Sequence, residues 1–175
     1  PNAIAVSPCP KLERLHWECE KCTNKKMPLP IDTLTALTEL DIDTETIADD
    51  FVFPPNLREM RLWIEDGTVN VNLLTGLTNL VDFDVNIDKN EDPLDLSQLT
   101  SLTNLSTNDS PVANLPANLV KCNVKLKGDF DFSVMTNPTT LTLSFAVPSK
   151  VTFPTQLEEL EIDRGTLGDS NIADV

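Results

Sequence analysis

The phrase FPPNLREMRLWIED at residues 53–66 returns a hundred residues later as FPTQLEELEID at residues 153–163. Such repetition limits the possible folds severely. One unit of this size has too little apolar surface to stand alone, so it must share a core with neighbours of its own kind. Along the chain the pattern LxxLxL, or a close relative, occurs eight times. Its first positions are Leu12, Leu37, Leu57, Leu80, Leu102, Leu119, Pro138 and Leu157, spaced 25, 20, 23, 22, 17, 19 and 19 residues apart.

Inside each unit the fourth and sixth positions are Leu15 and Trp17, Leu40 and Ile42, Met60 and Leu62, Phe83 and Val85, Leu105 and Thr107, Cys122 and Val124, Leu141 and Leu143, Leu160 and Ile162. Apolar residues alternating with polar ones over this length predict a half-buried strand, because successive side chains point to opposite faces. In five units the eighth position extends the apolar row with Cys19, Ile64, Ile87, Leu126 or Phe145. Between strands the chain returns in two ways. One places apolar residues at Leu29, Ile31, Leu34 and Leu37, again at Leu94, Leu96, Leu99 and Leu102, and again at Phe130, Phe132, Met135 and Pro138. The other is a shorter form carrying Phe53 and Pro54, Leu115 and Pro116, or Phe153 and Pro154. Both are too brief and too rich in Pro, Asp and Thr for amphipathic helices, which predicts extended or 3₁₀ segments on the back.

The stretches LTALTELDID, LTGLTNLVDFDV, LTSLTNL and the FPxxLxxL variant resemble the leucine-rich repeat family over nearly the whole chain, from about Cys9 to Leu167. The LTxLTxL stretches look like those of internalin-type surface proteins, and CPKLERLHW is similar to BspA-like repeats. The resemblance implies an α/β-type repeat solenoid dominated by β, with about eight repeats forming a parallel β-sheet on one face. It reads as one domain over 1–175, with residues 1–11 as an N-terminal cap. GDSNIADV is thin as a closing cap, so the natural chain is expected to continue past Val175. One family feature is missing. Position nine, usually Asn, holds Glu20, Glu45, Glu65, Asp88, Ser110, Lys127 and Ala146 in the first seven units. Another arrangement must therefore pair the backbone groups that an Asn ladder would satisfy.

Where positions four and six face inward, three, five and seven project from the open face, and parallel stacking aligns them in columns. Column five reads His16, Asp41, Arg61, Asp84, Ser106, Asn123, Thr142, Glu161; column seven reads Glu18, Asp43, Trp63, Asn86, Asn108, Lys125, Ser144, Asp163. An outward Trp flanked by Arg is the composition of an interface anchor. The expected partner-binding residues are accordingly Asp41, Asp43, Arg61, Trp63 and Asp84, with Trp63 as anchor and the charges steering approach.

Other chemistry has little to stand on. Thirteen Lys and Arg against 28 Asp and Glu give a formal charge of −15, which repels nucleic-acid phosphates and anionic lipid headgroups. No stretch approaches a membrane span, so no membrane insertion is expected. With one His and five Gly there is no metalloprotease motif, phosphate loop or nucleophile elbow, and no catalysis or cofactor is expected. Cys19 and Cys22 form a lone CxxC near His16 and Cys9, but buried thiols are expected at Cys22 and Cys122 rather than a metal site. The segment DVNIDKNEDPLD spaces Asp84, Asn86, Asp88, Asn90, Asp92 and Asp95 like a calcium loop, yet Lys89 stands where the turn requires Gly. Asn104 and Asn108 lie in glycosylation patterns, relevant only to a secreted eukaryotic protein.

The family resemblance implies a noncatalytic protein-recognition module working through the open sheet. The alternatives are a structural or adhesive segment of a larger surface protein, calcium-stiffened near Asp84 to Asp95, and an intracellular scaffold or effector. A cell-surface or secreted location is favoured over the cytoplasm.

Overall fold

The computed structural model describes residues 9–19, 31–65, 69–88, 92–126, 129–145 and 150–163, and for Cys19, Val71, Asp109, Phe145 and Asp163 the backbone alone. It is a predominantly β solenoid built on a parallel sheet, with almost no helix. The strands are β1 (Arg14–Cys19), β2 (Glu39–Thr44), β3 (Glu59–Ile64), β4 (Asp82–Ile87), β5 (Leu94–Asp95), β6 (Asn104–Asn114), β7 (Lys121–Leu126), β8 (Phe130–Asp131), β9 (Thr140–Phe145), β10 (Val151–Thr152) and β11 (Glu159–Asp163). The main sheet runs β1-β2-β3-β4-β6-β7-β9-β11, with β5 joined to the side of β6, and a second sheet pairs β8 with β10.

Register follows the repeated phrase residue for residue. The third position of each unit meets the third position of the next, from Arg14↔Glu39 and Glu39↔Glu59 through Glu59↔Asp82, Asp82↔Asn104, Asn104↔Lys121 and Lys121↔Thr140 to Glu159↔Thr140. A slip of one residue would turn every apolar side chain to solvent, so the buried rows hold the pairing in place. The position-two carbonyl fixes each joint. Glu13 accepts N–H bonds from both Thr38 and Glu39, Thr38 from Arg58 and Glu59, Arg58 from Val81 and Asp82, and the pattern continues to Thr139, which accepts from Glu158 and Glu159. In the LT units the Thr hydroxyl donates to the same carbonyl, as Thr103 does to Val81 at 3.2 Å.

The core is a continuous stack of positions one, four and six. Leu40, Ile42, Met60, Leu62, Phe83, Val85, Leu141 and Leu143 are all buried, joined from behind by Ile31, Leu74, Leu96 and Phe132. Each such side chain contributes roughly 1.5–3 kcal/mol through removal of apolar area from water. The stack loosens at its ends. Leu15 and Trp17 are half-buried, while Leu160 and Ile162 are 37% and 45% exposed. The expectation that each strand buries its row therefore fails at β11, the last described strand, which has a neighbour on one edge only. Thr107 occupies a core position as expected of position six, but it is polar and fully buried, for a reason given by β6 below.

On the back, 3₁₀ turns at Ile31–Thr33 and Val71–Leu74 and the two-residue strands β5, β8 and β10 replace helices, in line with the Pro-, Asp- and Thr-rich returns. Asp95 Oδ1 accepts from the backbone N–H and the hydroxyl of Ser97 at 3.0 and 2.7 Å, and Asp131 Oδ1 accepts from Ser133 N–H at 2.9 Å. These bonds, to Ser97 and to Ser133, draw both carboxyls below their ordinary range. Phe130, Phe132 and Phe153 pack in series, with the last two rings parallel at 6.4 Å.

The missing Asn ladder has a substitute at a different position. In four units the residue just before the first Leu donates its side-chain amide to a backbone carbonyl of the preceding unit. Asn56 bonds Thr35 at 2.8 Å, Asn79 bonds Pro55 at 3.2 Å, Asn118 bonds Thr100 at 2.8 Å, and Gln156 bonds Met135 and Thr136 at 3.0 and 2.8 Å. At position nine itself Glu45 is half-buried and Glu65 and Asp88 are exposed, and the backbone N–H groups of Glu65 and Asp88 continue the ladder to Thr44 and Ile64. Glu20, Lys127 and Ala146 lie outside the described residues.

Strand β6 breaks the regularity. On the β4 side its pairing stops at Asp84↔Ser106, and on the β7 side it moves from Ser106↔Asn123 to Pro111↔Lys125, five residues of β6 against two of β7. The extra residues bulge, and Asn108 takes a left-handed φ of 42°, a conformation Asn tolerates better than most residues. Two hydroxyls repair the ladder. Ser110 Oγ, fully buried, accepts from Ile87 N–H at 2.8 Å, and Thr107 Oγ1 accepts from Lys125 N–H at 3.2 Å. The bulge also admits Pro111, which has no N–H to offer a regular interior strand.

Candidate functional site

The five residues expected to meet a partner fall on three adjacent strands, on the face opposite the core. Asp41, Arg61 and Asp84 are register neighbours on β2, β3 and β4, and Asp43 and Trp63 are neighbours in the next column. Their side chains reach the open face because positions four, six and eight of the same strands are buried.

The charges in column five engage one another. His16 Nδ1 stands 2.9 Å from Asp41, Arg61 Nη1 lies 3.6 Å from Asp41, and Arg61 Nε lies 3.6 Å from Asp84. Asp84 also accepts from the Asn108 amide at 2.9 Å. Imidazole, carboxylate, guanidinium and carboxylate thus alternate across four strands, and the guanidinium faces an opposite charge on each side, an arrangement a ladder favours. Pairs this exposed are worth at most about 1 kcal/mol each, so they orient Arg61 more than they stabilise the fold. Arg61 also lies 5.8 Å from the centre of the Trp63 ring, within cation–π range. Trp63 itself is 39% exposed. Beside it, Asn86 Oδ1 is buried without a hydrogen-bond partner.

Across the face the first four strands differ in charge from the three that follow, and β11 is acidic again with Glu159 and Glu161. Positions three, five and seven of β1 to β4 hold seven carboxylates, Glu18, Glu39, Asp41, Asp43, Glu59, Asp82 and Asp84, against Arg14 and Arg61. The same positions on β6, β7 and β9 hold Lys121 and Lys125 with no carboxylate, the remainder being amides and hydroxyls. Along the N-terminal ends of β1 to β4 a cleft of about 340 Å³ is lined by Glu13, Arg14, Glu39, Arg58, Glu59 and Asp82 among others. A second, apolar hollow of about 330 Å³ lies on the back between Phe51, Val52, Phe53, Leu73 and Leu77.

The calcium-loop spacing does not gather its oxygens. Asp84 is held by Arg61 and Asn108, while Asp95 turns to Ser97 and to the Asn114 amide at 2.9 Å; Asn90 lies outside the described residues. Among the described residues no group of three or more His, Cys, Asp and Glu side chains is arranged to hold a metal ion. Cys122 is buried at position four, and burial pushes its thiol up to about 12, far from reactive. Cys9 is exposed; the Cys19 side chain and Cys22 fall outside the described residues. Of the two glycosylation patterns, Asn104 donates to Asp82 at 3.0 Å within the sheet, whereas Asn108 is exposed on the bulge. No described helix is long and apolar enough to cross a membrane.

The sequence reading missed the bulge, and with it the two buried hydroxyls and the pairing that ties Asn108 to Asp84. It also treated the acidic residues as free to steer a partner, whereas Asp41 and Asp84 already flank Arg61. The chain matches no protein-family model, no curated protein and no solved structure.

Proposed function

We propose that this chain is a leucine-rich repeat protein of about eight units and that it is a noncatalytic recognition module, binding a protein partner through the open face of β2 to β4. The observation that carries the reading is Trp63, a large aromatic ring left 39% exposed beside an arginine on an otherwise polar sheet. Exposed Trp and Arg together are the residues that dominate binding energy at protein interfaces. The surrounding surface supports a protein partner rather than a small ligand, being a broad extended sheet with a shallow polar cleft. In this reading Trp63 is the anchor, and Arg61, held between Asp41 and Asp84, presents its guanidinium and shields one side of the ring. Asp43 and the other uncompensated carboxylates favour a partner whose facing surface is basic.

The test compares affinity capture by the wild-type chain with capture by Trp63→Ala and by Arg61→Glu, followed by calorimetric titration of any protein retained only by the wild type. The expected loss for Trp63→Ala is about 2 kcal/mol or more, roughly thirtyfold in Kd. A partner whose affinity is indifferent to both substitutions binds elsewhere and defeats the assignment.

A further inference from the structure

We infer that the bulge of β6 belongs to the recognition face and that its Asn108 is a positioning residue, holding Asp84 so that Arg61 is set beside Trp63 before a partner arrives. The purpose of this arrangement rests on the partner-binding reading, while the contacts themselves are those of the free chain.

Asn108 stands at position seven of the fifth unit, and the register that runs from Asp82↔Asn104 to Asp84↔Ser106 would set it next against Asn86. The pairing stops before that point. The backbone turns through a left-handed φ of 42° at Asn108, and its side-chain amide reaches back to column five, donating to Asp84 Oδ1 at 2.9 Å. Asn86 Oδ1 is left buried without a hydrogen-bond partner. Among the described residues no other non-Gly residue has a positive φ, and no other buried side-chain oxygen or nitrogen lacks a partner. Two unfavourable features therefore meet at one place, beside the exposed Trp63. Strain of this kind persists only where its surroundings enforce it, and it gathers at sites that bind.

The type of residue is informative as well. Gly is the usual occupant of a left-handed bulge position, having no Cβ to clash. Asn tolerates the same conformation and adds an amide that Gly lacks. Here the amide works on the open face and not in the ladder, whose gaps Ser110 and Thr107 already close.

From Asp84 the contacts run on to the anchor. Its second oxygen, Oδ2, lies 3.6 Å from Arg61 Nε, Asp41 Oδ2 lies 3.6 Å from Arg61 Nη1, and the guanidinium carbon lies 5.8 Å from the centre of the Trp63 ring. With one oxygen tied to the bulge, Asp84 offers the other to Arg61 in a fixed direction. A long side chain ordered in advance loses less freedom on association, so more of its contact appears as affinity.

Nuclear magnetic resonance of the whole chain tests this without a partner. Asn108→Gly keeps the left-handed backbone and removes only the amide, whereas Asn108→Asp keeps the shape and sets a second carboxylate against Asp84. In both, the Arg61 Nε–H signal should move toward that of a free arginine, and its exchange with solvent should quicken at least about threefold, more in Asn108→Asp than in Asn108→Gly. The Ile87 and Lys125 backbone amides report the ladder at the bulge, through Ser110 and Thr107, and in Asn108→Gly they should exchange as in the wild type. An Arg61 signal that stays in place in both variants overturns the inference. So does an Asn108→Gly form in which Ile87 and Lys125 quicken along with Arg61, because the amide would then hold the bulge together and not the guanidinium. Whether Trp63 meets a partner is decided separately by Trp63→Ala, a test that can fail while the Arg61 signal still answers to Asn108.

Discussion

Strands β2 to β4 pair with one another from position three through position eight without interruption, whereas β6 keeps that register with β4 for three residues and then buckles outward. In the regular block the backbone satisfies itself and the interior is wholly apolar at positions four and six. At β6 the ladder has gaps, and Thr107 and Ser110 fill them from within the core. The contrast teaches that the two fully buried hydroxyls of β6 close a break in the hydrogen bonding, since leaving a buried N–H unpaired is costly, whereas Thr44 in the regular block only donates to Thr46 O.

That contrast can be broken in graded steps. Leu62→Ala, in the regular block, removes a fully buried side chain between two others and should cost about 2–5 kcal/mol in urea unfolding. Ser110→Ala strands the Ile87 N–H in the core and should cost about 1–3 kcal/mol, with the Ile87 amide exchanging with solvent faster than its neighbours. Were the two substitutions reversed in severity, the hydroxyl would be more than a repair. Asn79→Ala cuts one amide rung between successive units at an exposed position, and about 0.5–1.5 kcal/mol is expected.

The smallest effect belongs to Asp95, which binds Ser97 and also receives the Asn114 amide from the far end of β6. Its carboxyl is drawn below the ordinary value of 3.8 by the bonds to Ser97. A lowered folded-state value means that the ionised form adds stability above 3.8 and that this share disappears as pH falls through the lower value. Asp95→Asn should therefore flatten the acid limb of the stability profile and leave stability near neutrality only slightly reduced. An acid limb of unchanged slope would show that Asp95 does not report on the β6 junction.

Much of this was legible in the chain. The LxxLxL spacing placed the strands and their buried row, because period-two alternation admits only one such row, while their parallel stacking was implied by the family resemblance. Pro- and Asp-rich returns gave the 3₁₀ and extended back. The bulge was hidden, since Thr107 and Ser110 sit at the positions that periodicity assigns to core and turn, and nothing local announces three extra residues. The amide rungs could have been found: Asn56, Asn79, Asn118 and Gln156 each stand immediately before the first Leu of a unit. As for the candidate site, alternation put Asp41, Arg61 and Asp84 in one column, but the pairing that spends their charges depends on side-chain reach, which sequence spacing does not record.

The doubly accepting carbonyl at position two locks each joint within the first three residues of a unit, upstream of everything that varies. The joint closes at the same three residues whatever the length of the preceding return, which is how intervals of 17 and 20 residues coexist in one ladder. A return can therefore be lengthened or shortened by design without moving the start of the strand that follows it.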